Sequence, residues 1–145
     1  MVATAQDGNG QCNPIAWGIV DFENEEAWTW FLSKLKEVIG DSDKLAFISD
    51  RALSIKKAIS NVFHKAHHGA CAWHVSQNVR NKFKCTYIMG LYWNVVNAYR
   101  IEDFKRYMIE ISQRYPRVAD YLENEVSFQK WSRCHFPSLC TTLQR

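Results

Sequence analysis

The sequence has no apolar run approaching the ~20 residues needed to span a bilayer, so neither a membrane-spanning helix nor a membrane partner is expected. Its first ten residues, MVATAQDGNG, lack the basic and apolar regions of a secretory leader. A soluble, non-secreted protein is the expectation. There is no internal repeat, no low-complexity segment and no glycine after Gly90. The five cysteines, Cys12, Cys71, Cys85, Cys134 and Cys140, are odd in number and scattered, which reads as free thiols rather than a disulfide framework. A basic import cluster is also missing.

What is present has the size of one domain, 145 residues, enough to bury a core. Hydrophobic residues at 47% and charged residues at 23% exclude a disordered chain. The net charge of +3 hides an asymmetry. Residues 1–63 carry six Lys/Arg against nine Asp/Glu, and residues 64–145 carry twelve against six. A basic half of this size permits nucleic-acid binding but falls short of a polybasic arm.

The segment NPIAWGIVDF, Asn13 to Phe22, is β-branched and aromatic and reads as a strand. The period then changes. In NEEAWTWFLSKLKEVIG, residues Trp28, Phe31, Leu32, Leu35 and Ile39 recur at helical spacing, Asn24 can cap the start and Gly40 the end. KLAFISD is a second short buried strand ending in Asp50. RALSIKKAISNVF is again helical, with Ile55, Ala58, Ile59 and Val62 on one face. Strand, helix, strand, helix predicts an α/β sheet, in which ligands gather at the carboxyl ends of strands. From His74 to Trp131 the pattern is helical. Phe104, Met108, Ile109 and Ile111 fall near one face, and Pro116 interrupts the pattern. The expected domains are therefore an α/β part over 1–86 and a helical segment over 87–145.

Asp50, at a strand–helix junction, has the ordinary reading of a helix N-cap beside the catalytic one. Cys71 and His74 form one Cys-x-x-His pair, half of a tetrahedral zinc site, and no second pair stands at the usual distance. Zinc is not expected. HKAHHG, with His64, His67 and His68, reads as a solvated turn. Cys134 and His135 are adjacent, a spacing that does not aim both at one metal. Trp17, Trp28 and Trp30 read as packing, whereas Trp73, between Cys71 and His74, has no obvious core role. Arg80, Lys82 and Lys84 recur at every second position. They fit a solvated helix face or contacts to a DNA backbone.

Taken in order, ATAQDGNGQCNPIAWGIVDFENEEAWTWFLSKLKEVIG, FISDRALSIKKAISNVF and HHGACAWHVSQNVRNKF resemble the transposase domain of plant Mutator-like (MULE) elements from Ala3 to Phe83. YPRVADYLENEVSFQKWSRCHFP suits the same family more loosely. The resemblance implies an RNase H-like fold over 1–86, partial here, followed by an all-helical insertion. It also implies a DDE site whose three carboxylates hold two divalent metals, Mg or Mn, for DNA strand cleavage and transfer. On this resemblance Asp50 matches the second catalytic acid and a metal ligand, and Cys71 and His74 match the Cys-x-x-His signature. DNA as partner and a nuclear location are implied likewise.

The departures matter equally. The family's first catalytic Asp lies upstream of the matched stretch, and Asp7 does not match it. At the other end CTTLQR has Leu143 where the family's Thr-Thr-Asn motif has Asn, and it stops before the third acid. One Asp cannot hold two ions, so tight metal binding is not expected of this fragment. A transposase fragment inactive as an isolated chain is the expectation, with an unpaired edge on the KLAFIS strand. The competing expectations are a domesticated regulator resembling the far-red-response transcription factors, and a protein-interaction module that pairs with full-length transposase.

Overall fold

The computed structural model describes residues 1–136 and the backbone of residues 141–144. Val2–Gln6 (β1) and Cys12–Trp17 (β2) form an antiparallel hairpin. Its turn is built around Asp7, whose Oδ1 accepts from the amides of Asn9 and Gln11, both at 2.9 Å, while Gly10 takes a positive φ of 80°. Glu25–Ile39 (α1) starts from Asn24, whose side chain accepts from Ala27 N, and ends at Gly40 with φ 73°. Leu45–Ser49 (β3), Leu53–Val62 (α2) and His67–Ala70 (β4) follow. The helices Ala72–Phe83 (α3), Met89–Asn97 (α4), Ile101–Arg114 (α5) and Pro116–Asp120 (α6) come next. After a π-helical turn, Tyr121–Val126, lie Phe128–Trp131 (α7) and a 3-10 turn, Arg133–His135. Thr141–Gln144 is a fifth strand (β5).

The fold is thus mixed α/β, as expected. The sheet runs in the order β2-β1-β5-β3-β4. β5 lies antiparallel to β1, with Ala5 opposite Leu143, and parallel to β3, with Phe47 opposite Leu143. The unpaired edge expected for KLAFIS is therefore not found: β3 has β5 on one side and β4 on the other. Pairing on both sides suits its composition, since Ala46, Phe47 and Ser49 are all buried.

The chain divides into two compact units. One is Met1–Gly69 with β5, and the other is made of the described residues of Ala70–Ser138. In the first, Trp28, Phe31, Leu32 and Leu35 of α1 meet Ile55, Ala58, Ile59 and Val62 of α2. Phe47 of β3 packs against Phe63, ring centroids 4.6 Å apart and planes tilted by 53°. Asp41 fastens the chain entering β4, accepting from the amides of His64 (2.8 Å), Lys65 and Ala66. The second unit is helix on helix around Tyr92, Ile111, Leu122 and Trp131, the Tyr92 and Trp131 rings stacked at 5.5 Å.

Several expectations are corrected. The strand expected over Asn13 to Phe22 is β2, and it stops at Trp17; beyond it Gly18 exchanges backbone bonds with Met1, and Ile19 is exposed. β1 itself, in VATAQ, carries no alternating apolar signal and was not expected. HKAHHG is a solvated turn only in its first half, where His64 and Lys65 are exposed: His67–Ala70 is a strand beside β3, and His68 Nε2 pairs with Ser49 Oγ at 2.8 Å. Of the tryptophans read as packing, Trp28 is 3% exposed, but Trp17 and Trp30 are 74% and 51% exposed. Ile109 is exposed too, since five residues from Phe104 turn a helix well past the buried stripe of Phe104 and Ile111.

Candidate functional site

Asp50 follows directly on β3, at its carboxyl end. It is not the N-cap of α2: that position is Ala52, which has no side-chain cap, and Asp50 Oδ1 instead accepts from Ala52 N at 3.2 Å. The turn leaves the carboxylate half-buried at the strand end. Beneath it Ser49 Oγ, almost fully buried, donates to the Asp50 carbonyl at 2.7 Å and pairs with His68. The Ser49–His68 bond thus ties β3 to β4 at the level of the acid, so Asp50 sits on a doubly anchored backbone. Only the strand pattern and the resemblance pointed to Asp50; the Ser49–His68 support was missed, because HKAHHG has no strand alternation.

Cys71 and His74 share the first turn of α3. Cys71 is the N-cap residue without a side-chain cap bond, and its carbonyl accepts from Val75 N. His74 is half-buried, its Nδ1 is enclosed without a hydrogen-bond partner among the described residues, and Trp73 packs edge-on against its ring at 5.0 Å. Close by, Tyr92 donates to Ala72 O at 2.8 Å. Burial pushes the Tyr92 phenol well above its ordinary value, and its electrostatic coupling to Cys71 and Tyr121 adds to this.

Arg80, Lys82 and Lys84 differ from one another. Lys82 binds Glu125 at 2.6 and 2.8 Å and lies 4.6 Å over the Tyr121 ring, so its charge is already engaged. Arg80 and Lys84 are exposed. Lys84 ends α3 in the left-handed region, φ 52°.

Sequence reasoning also missed a cluster at the Arg133–His135 turn. Adjacency does not keep Cys134 and His135 apart: the tight turn brings Cys134 Sγ to 3.3 Å from His135 Nδ1, and the buried Ser132 Oγ to 2.6 Å from the same atom. Burial lowers the His135 pKa, and the charge of Lys105 lowers it further. The signal that could have found this cluster is the Ser-x-x-His spacing of Ser132 and His135. Cys140 and Arg145 lie outside the described residues, as do the side chains of the expected Thr-Thr-Leu stretch, Thr141 to Leu143.

Among the described residues no three His, Cys, Asp or Glu side chains converge on a point that could hold a metal ion. The described residues therefore do not assemble the donor set of a two-metal centre. No described helix is long and apolar enough to cross a membrane. A comparison with protein families finds that the model of the MULE transposase domain matches residues 1–78, over half of the chain, a stretch that includes Asp50, Cys71 and His74. No curated protein matches the chain.

Proposed function

From the premise that the chain belongs to the MULE transposase domain family, we propose a transposase-derived DNA-binding polypeptide whose Asp50 is the second acid of a DDE site. The observation that carries this reading is a single carboxylate at the carboxyl end of an interior strand inside the matched region. Sheets of this kind gather their chemistry at strand ends. We read residues 1–86 as the RNase H-like core and 87–145 as the helical insertion. Of the three basic residues at the end of α3, Arg80 and Lys84 are exposed and available to DNA phosphates, with Lys82 contributing less because Glu125 neutralises it. DNA work in a plant nucleus belongs to the same reading.

As a 145-residue polypeptide this chain does not cut DNA. Mg²⁺ needs near-octahedral oxygen ligands, and one carboxylate supplies too few for two ions. The test is plasmid nicking in Mg²⁺ or Mn²⁺ by purified, nuclease-free protein. No nicking above the Asp50→Ala background is expected, together with salt-sensitive DNA retention that weakens in Arg80→Ala/Lys84→Ala. Metal-dependent nicking lost in Asp50→Ala would overturn the inactivity. DNA retention equal in the double variant would remove those two residues from the reading.

A further inference from the structure

Several cations of the second unit are already held by carboxylates. Lys82 pairs with Glu125, Arg100 with Glu102, Arg106 with Asp103 and Arg114 with Glu110. Arg133 is held differently. Among the described residues no carboxylate pairs with it, and its guanidinium carbon lies 3.9 Å from the centre of the Tyr99 ring. That is stacking contact, much closer than the 5.8 Å between Arg117 and the Phe83 ring.

The stack stands on fixed backbone at both ends. Arg133 opens the 3-10 turn, between the fully buried Ser132 and His135, whose ring packs edge-on against Phe104 at 4.6 Å. Tyr99 lies in the link between α4 and α5, beside the buried Ala98, and is itself 73% exposed. Lys105 follows Phe104 on α5; it is exposed, and its charge is felt at His135. A second cation therefore lies near the turn.

A guanidinium laid on a ring keeps its whole charge, whereas one paired with a carboxylate is neutralised, as Lys82 is by Glu125. The ring also fixes its plane and leaves the N–H donors at its rim open. Such a group loses little freedom on binding and matches two oxygens of one phosphate.

We propose that Arg133, stacked on Tyr99 and accompanied by Lys105, is a DNA-phosphate site of the second unit, additional to Arg80 and Lys84. It rests on the DNA-binding reading above and adds a preorganised contact to it. A phosphate contact positions the duplex without reading bases, so it acts alike on any sequence.

The test is fluorescence anisotropy of the 145-residue chain with a labelled duplex of about 20 base pairs, titrated between about 50 and about 200 mM salt. Arg133→Ala is expected to weaken binding several-fold on two unrelated duplex sequences alike, and to lower the salt slope by about one. Arg114→Ala removes the same formal charge from an existing ion pair and is expected to stay near the parent. Arg133→Lys is expected to restore the slope but only part of the affinity, and Tyr99→Leu to lose affinity with the slope kept. Both keep the charge at the turn and supply the readout if Arg133→Ala does not fold. Arg133→Ala binding like Arg114→Ala, while Arg80→Ala/Lys84→Ala binds more weakly, would overturn this site and leave the DNA reading standing. A parent chain that shows no salt-sensitive DNA binding would overturn that reading, and the site with it.

Discussion

In the second unit, packing passes mostly between helices close in sequence, α3 on α4, α4 on α5, α5 on α6. In the first, α1 and α2 pack as near neighbours, yet the sheet beneath them closes only when residues 141–144 come between β1 and β3. The difference shows how unevenly a sequence announces its structure. A helix carries its register in its own periodicity, and a short connection tells it where to pack. A strand's partner is written nowhere in the strand.

The largest effects sharpen this comparison inside the first unit. Trp28 fills the space between the sheet and α2, so Trp28→Ala is expected to cost about 3–5 kcal/mol by urea denaturation. Trp17→Ala removes a largely exposed side chain and is expected to stay within about 0.5 kcal/mol of the parent, with the half-exposed Trp30→Ala falling between it and Trp28→Ala. Equal losses at all three positions would mean that Trp17 and Trp30 are core residues like Trp28, as the sequence reading expected.

A smaller effect belongs to the second unit and to pH. The His135 imidazole sits below its ordinary value of 6.5, through burial first and the Lys105 charge second. As pH falls, the unfolded chain takes up the proton before the folded one. The associated stability is thus present above 6.5 and is lost as the pH drops through the lowered folded value. His135→Gln removes this dependence, so the gap between parent and variant urea midpoints is expected to shift between about pH 8 and about pH 5, by a modest amount because the ring is partly exposed. An identical shift of parent and variant would contradict it.

What was legible follows the same division. α1, β3 and α2 could be read because Asn24, Gly40 and two apolar stripes mark their ends and faces. Pro116 marked the break after α5 by opening α6 at its first turn. β1 and β4 were not legible: VATAQ and HHGA lack apolar alternation, and they are strands because Cys12–Trp17 and Leu45–Ser49 pair with them. Trp17 and Trp30 misled because aromatic type signals burial only on average, and β2 lies at the sheet edge. At the candidate site, strand-end position singled out Asp50, but the capping interpretation failed by two residues. The Ser132–Cys134–His135 cluster was missed because the adjacent pair Cys134 and His135 would be spread on a regular helix, whereas the tight 3-10 turn brings both to Ser132.

The central structural claim is that β3 is an interior strand, completed by β5, with Asp50 at its end. Amide hydrogen exchange of the 145-residue chain tests it most directly, read at Ala46 to Ser49 against Phe31 to Leu35 of α1. Ladder bonds on both sides of β3 predict exchange as slow at Ala46 to Ser49 as in the α1 core. Exchange there as fast as in the exposed stretch from Ile19 to Glu23 would contradict it, leaving β3 an open edge and Asp50 on an unanchored strand.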